Sequence, residues 1–386
     1  MSTHYLFKRN IPKESSEKSQ KSILILFFLS LLFFVLAKLV PPKVSDPVLE
    51  QMIEASRIMA EAETVLRDCQ KKKGIIIDKK TDPNQTGLIG LEFSPITTSI
   101  GNLEAKRTTT NPNFAGLLVF LLNAAGVKKE DTVAVGASSS FPAVIVAALS
   151  AAKAMELNPV VISSLGASQW GANHPDFHWL KIQECLFKAG IFSTEPVALS
   201  LGGDGDVAQD MSPEGRAFLS REIEKSRIFF LHQPDLKQNV EARTRLYQEK
   251  AGERRIKAFI NIGGSWSNMG VDSKILKLKP GLAKIKHFPS LERRGVIYEM
   301  AERKIPVIHL LYIRGLAQRY GFPWDPVPLP PPGQGKIYDI VREKQPIFVL
   351  IASLYFLLVI LFLSLRQVFS RDESLYNSAI RKGFWK

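Results

Sequence analysis

Two apolar stretches near the ends of the chain constrain it more than anything between them. "SILILFFLSLLFFVLAKLV", Ser22 to Val40, has Lys38 as its single charge, and "IFVLIASLYFLLVILFLSL", Ile347 to Leu365, has none. As helices rising about 1.5 Å per residue, both reach across about 30 Å of hydrocarbon. The first also resembles a secretory signal, but only "AKLVPPKVS" follows it, without a small-x-small cleavage site, so we read an uncleaved anchor. Lys8, Arg9, Lys13, Lys18 and Lys21 precede the first stretch; Arg366, Arg371, Arg381, Lys382 and Lys386 follow the second. Short basic flanks stay in the cytoplasm, whereas long loops translocate whatever their charge. The expectation is a two-pass protein of the cytoplasmic membrane, both termini inside and the main domain outside.

That topology divides the chain into a basic arm (1–21), a span (22–40), an amphipathic helix (41–73), an outer domain (74–321), a Pro-rich linker (322–345), a span (346–365) and a basic tail (366–386). A formal charge of +14 points to polyanionic partners. Outside the cytoplasm these are anionic lipid or an acidic polymer, not nucleic acid or a nucleotide cofactor. The two cysteines, Cys69 and Cys185, are compatible with a disulfide or with two buried thiols. Their spacing is not that of a metal site, and neither metal nor cofactor is expected.

In the amphipathic segment Val48, Met52, Ala55, Met59, Ala62, Leu66 and Cys69 recur at gaps of four and three. This seam either packs on the chain's own domain or joins two copies through 48–69. Farther on, "TVAVG", "NPVVISS", "EPVALS", "RIFFLHQ", "KAFINI" and "IPVIHLL" alternate with helix-sized segments. Short β-branched runs separated by helices imply right-handed crossovers. The expected fold is α/β, a doubly wound and mostly parallel sheet in a single domain.

In such sheets ligands bind where the strands' carboxyl ends meet the following loops. Four of those loops are rich in glycine and hydroxyls. They contain Gly136, Ser138, Ser139 and Ser140; then Ser163, Ser164 and Ser168; then Gly202, Gly203, Asp204 and Asp206; then Gly263, Gly264 and Ser265. Glycine lets backbones approach closely, and these loops offer N–H and O–H donors, which suits carboxylate or phosphate. If instead the chain is a serine hydrolase, Ser138 and Ser265 each approximate a nucleophile elbow, and for Ser138 the chain order continues with Asp204 or Asp206 and then His309 as a relay. Asp204, Asp206 and Asp210 lack the full spacing of a calcium loop. His174 and His178 have no third ligand nearby, and the basic run Glu241 to Lys257 reads as a solvated helix face.

The stretches "GASSSFPA", "SSLGASQWGANHPDF", "LGGDGDVAQDM", "NIGGSWSNMG" and "RRGVIYEMAERKIPVIHLL" make most of the chain, both anchors included, resemble the poly-gamma-glutamate system protein family. That resemblance implies a role in making or exporting poly-γ-glutamate beside membrane synthase subunits, as a polymer-binding accessory protein or as a scaffold for the synthase. It carries no agreed catalytic mechanism, and so no active-site residue.

Overall fold

A computed structural model describes residues 13–39, 47–342 and 346–381. The helices are α1 (Lys13–Leu39), α2 (Pro47–Lys72), α3 (Leu103–Thr109), α4 (Asn113–Ala124), α5 (Pro142–Ala154), α6 (Trp179–Lys188) and α7 (Pro213–Ser226). They continue as α8 (Leu236–Ala251), α9 (Trp266–Met269), α10 (Val296–Glu302), α11 (Ile313–Tyr320), α12 (Lys336–Arg342) and α13 (Pro346–Arg381). The strands are β1 (Thr132–Ser138), β2 (Asn158–Ser164), β3 (Ala198–Ser200), β4 (Ile256–Ile262), β5 (Gly281–Ala283) and β6 (Val307–Leu310). The chain divides into two units, 1–44 with 342–386, and 45–341.

In the first unit α1 and α13 contain apolar stretches, Gln20–Ala37 and Val349–Val368, long enough to cross a membrane. They touch through Ser30 Oγ, 2.8 Å from Tyr355 Oη, and through the Phe33 and Tyr355 rings, 5.4 Å apart at their centroids.

The second unit is α/β. Its six-stranded sheet runs β3-β2-β1-β4-β6-β5, parallel throughout except for β5, which lies antiparallel on the edge beside β6. Because side chains alternate across a strand, both sheet faces are apolar and both are covered. Val133, Val135 and Ala137 of β1 join Ile260 and Ile262 of β4 in one core with α2, α4 and α5; Ala134 and Phe259 point to the other, under α8 and α10. Local chemistry starts the helices. Pro142 and Pro213 occupy first-turn positions that need no N–H donor, Ser212 accepts from the Gly215 N–H, and Asp235 accepts from the Gln238 N–H.

Two features differ from the sequence reading, and two resolve alternatives it left open. "RIFFLHQ" forms a single bridge, Phe230 to Leu199, rather than a strand, whereas β5 arises in the Lys-rich text after Lys277. Helix α2 belongs to the α/β unit: Met52, Ala55, Met59, Ala62 and Leu66 are all fully buried, and α2 packs on α4 and α5. From Met52 to Leu66 the seam is thus occupied by the chain's own core. The expected linker is also docked. Phe322 packs on Phe114 with centroids 4.5 Å apart, Asp325 takes two hydrogen bonds from the Arg107 guanidinium, and Tyr338 Oη donates to Asn113 Oδ1 at 2.6 Å. Finally, Cys69 and Cys185 form a disulfide that ties the end of α2 to α6, with Cα atoms 6.3 Å apart.

Candidate functional site

Strand order reverses at the β1–β4 boundary, since β1, β2 and β3 are laid down one way and β4 on the other side of β1. The loops leaving the carboxyl ends of β1 and β4 therefore diverge and leave a crevice. Glycine sets how close they come. Gly263 has φ +80°, and a Cβ there would lie 2.9 Å from Ser138 Cβ. Gly202 repeats the arrangement at φ +76°, where a Cβ would lie 2.8 Å from Ser164 Cβ. Both backbones need a left-handed conformation and the absence of a side chain.

The resulting cleft has a volume of about 330 Å³. All four glycine- and serine-rich loops reach it, through Ser138 and Ser140, Ser164 and Ser168, Gly203 and Asp204, and Gly264 and Ser265. The segment from Thr98 to Lys106 closes one side, and Phe141, Asp210, Trp266 and Leu311 also line the cleft.

Other candidate residues serve the walls. Ser139 is fully buried and its hydroxyl donates to the Ser164 carbonyl, pinning the β1 loop to β2. Ser163 is fully buried with its hydroxyl unpaired among the described residues. Gly136, Gly202 and Gly263 lie behind the lining, with Gly136 against the Asn268 amide. Asp206 does not line the cleft; its carboxylate accepts from Arg243 Nη2 at 2.6 Å, Asn239 Nδ2 at 2.9 Å and Ser200 Oγ at 2.9 Å. Arg243 is correspondingly buried rather than part of a solvated helix face.

The serine relay with His309 does not assemble. His309 is buried between β4 and β5, outside the lining, and its Nδ1 accepts from Asn261 Nδ2 at 2.9 Å. Burial holds its imidazolium down at about 4, so the ring is neutral near pH 7. Asp204 bonds through its own N–H to Asp210 Oδ1 at 2.9 Å. Among the described residues no group of three His, Cys, Asp or Glu side chains is gathered for a metal. His178, buried beneath α7, faces Glu222, and His174 Nδ1 accepts from the Asp176 N–H.

The residue that sequence reasoning missed is Lys106. It lies on α3, outside the doubly wound repeat, where "EAKRTTT" offers no motif. Its side chain is 3% exposed; Nζ bonds the Ser140 carbonyl, lies 2.8 Å from Ser168 Oγ and sits 3.9 Å from the Phe141 ring centroid. Burial without a carboxylate partner pulls its ammonium down from 10.5 to about 7. No known family, curated protein or solved structure matches the chain. The reading of the cleft therefore stands on its chemistry: hydroxyls, a titratable amine and two carboxylates around a space of small-ligand size.

Proposed function

We propose that the chain is a membrane-anchored envelope protein whose α/β unit holds carboxylates of an acidic polymer in the β1–β4 cleft. The observation that carries this reading is the convergence of four donor-rich loops on one cavity at the strand-order reversal. The two apolar helices support the anchoring, and the Cys69–Cys185 disulfide suits an oxidising compartment outside the cytoplasm. The net basic charge favours a polyanion, and the resemblance to the poly-gamma-glutamate system family suggests poly-γ-glutamate, handled beside membrane synthase subunits.

Asp204 and Asp210 work against this affinity, because like charges in one cleft repel. The proton on Lys106 works for it, and the sign follows. Below about 7 Lys106 is an ammonium and adds attraction; above that value the attraction fades. The full-length protein in nanodiscs of zwitterionic lipid is therefore expected to bind poly-γ-glutamate in calorimetry more tightly at about pH 6 than at about pH 8. Affinity is expected to fall with salt. Ser138→Ala or Ser265→Ala should each weaken it about two- to tenfold, the worth of one hydrogen bond. Absence of binding at every salt concentration, or binding indifferent to both substitutions, contradicts the reading.

A further inference from the structure

Among the described residues, the hydroxyls that line the cleft differ in what they face. Ser138 Oγ accepts from the Ser140 N–H, Ser140 Oγ accepts from the Ser168 N–H, and Ser265 Oγ lies 3.5 Å from Ser267 Oγ. Only Ser168 meets a titratable nitrogen, Lys106 Nζ, at 2.8 Å. The environment of that nitrogen is asymmetric: a carbonyl on one side, an aromatic face on another and the Ser168 hydroxyl on the third. Ammonium groups buried without an anion are unfavourable, whereas a neutral amine can donate to the carbonyl and still accept from the hydroxyl.

The surrounding charges do not change this. Glu104 and Arg107, its neighbours on α3, are engaged by the Trp324 indole and by Asp325. Asp204 and Asp210 line the cleft but make no ion pair with Lys106.

We propose that Ser168 and Lys106 form a nucleophile–base pair that transfers the acyl group of a carboxylic ester or amide bound in the cleft. Lys106 Nζ takes the Oγ proton as Oγ bonds to the substrate's carbonyl carbon. Collapse of the tetrahedral adduct breaks the bond to the alcohol or amine, which leaves with the proton from Lys106. The Ser168 ester is then attacked by water, whose proton passes to Nζ and on to Ser168 Oγ as the acid departs. The sum is one ester or amide and one water giving one acid and one alcohol or amine. Burial supports the pairing, since an amine held at about 7 is largely unprotonated at mildly alkaline pH. This activity goes beyond polymer binding and does not depend on it.

The test uses the full-length protein in detergent, treated with p-nitrophenyl acetate and mapped by peptide mass spectrometry. The acetyl group is expected on Ser168, with a rate that rises with pH around a midpoint of about 7. Lys106→Met abolishes labelling, and Lys106→Arg does not restore it, because a guanidinium stays protonated. Acetylation of Lys106 itself or of other serines, no labelling at all, or full labelling in Lys106→Arg overturns the proposal. Should the Lys106 variants fail to fold, Ser168→Cys decides. Its thiol is then the sole free one, because Cys69 and Cys185 are paired. Beside Lys106 it is expected to react with iodoacetamide about tenfold faster than N-acetylcysteine at neutral pH. A rate equal to or below that of N-acetylcysteine overturns the pairing.

Discussion

Asp206→Asn is expected to destabilise the α/β unit by about 3–5 kcal/mol, read from chemical denaturation of the solubilised protein. Asp206 and Arg243 are 1% and 2% exposed, and Arg243 also donates from Nε to Asn239 Oδ1 at 2.7 Å and from Nη2 to Ser200 Oγ at 2.7 Å. Asparagine isolates the charge, because Asp206 has φ +64° and asparagine tolerates that left-handed backbone as aspartate does. What it leaves behind is a guanidinium buried without its anion. Replacing both partners at once, Asp206→Asn with Arg243→Met, is expected to lose less than Asp206→Asn alone, since the uncompensated charge disappears. An equal or larger loss in the double variant argues that the network's hydrogen bonds, rather than the charge, hold the turn.

The second large effect concerns the disulfide. Cys69→Ser with Cys185→Ser is expected to lower stability by about 2–5 kcal/mol, because the bridge closes a loop with a sequence separation of 116 and restricts the unfolded chain. The folded state changes less. Helix α2 stays docked through Met52, Met59 and Leu66, whose apolar burial does not involve the bridge. Thermal unfolding followed by circular dichroism should show the same fall in midpoint for the double variant and for the reduced native chain. No shift on reduction contradicts a stabilising bridge.

Much of the architecture was legible, and the physical reasons differ between elements. Strands β1, β2, β4 and β6 are β-branched runs bounded by helices or glycine turns, so local pattern and tertiary role agree. Strand β5 has three residues in Lys-rich text and exists because β6 offers it an edge, which no local pattern records. "RIFFLHQ" is as apolar as a strand yet pairs only at Phe230. The loops of the cleft were legible because each follows a β-branched run and is dense in glycine and serine, and in such a sheet ligands bind beyond the strands' carboxyl ends. The roles within one turn were not. Asp204 and Asp206 flank Gly205, whose φ is positive, and one carboxylate lines the cleft while the other is buried against Arg243 of α8. Lys106 was illegible for a similar reason: its place in the cleft comes from burial against Ser140, Phe141 and Ser168, which are distant in sequence.

The central claim is that four loops from separate strands form one ligand site. Hydrogen exchange of the full-length protein, measured with and without poly-γ-glutamate, tests it most directly, because a bound ligand raises the free energy of local opening where it sits. The account predicts protection at 138–141, 164–168, 203–210 and 264–266 together, with the polymer present and at low salt. Protection confined to the basic helix α8, or none in those loops while the polymer binds, contradicts it.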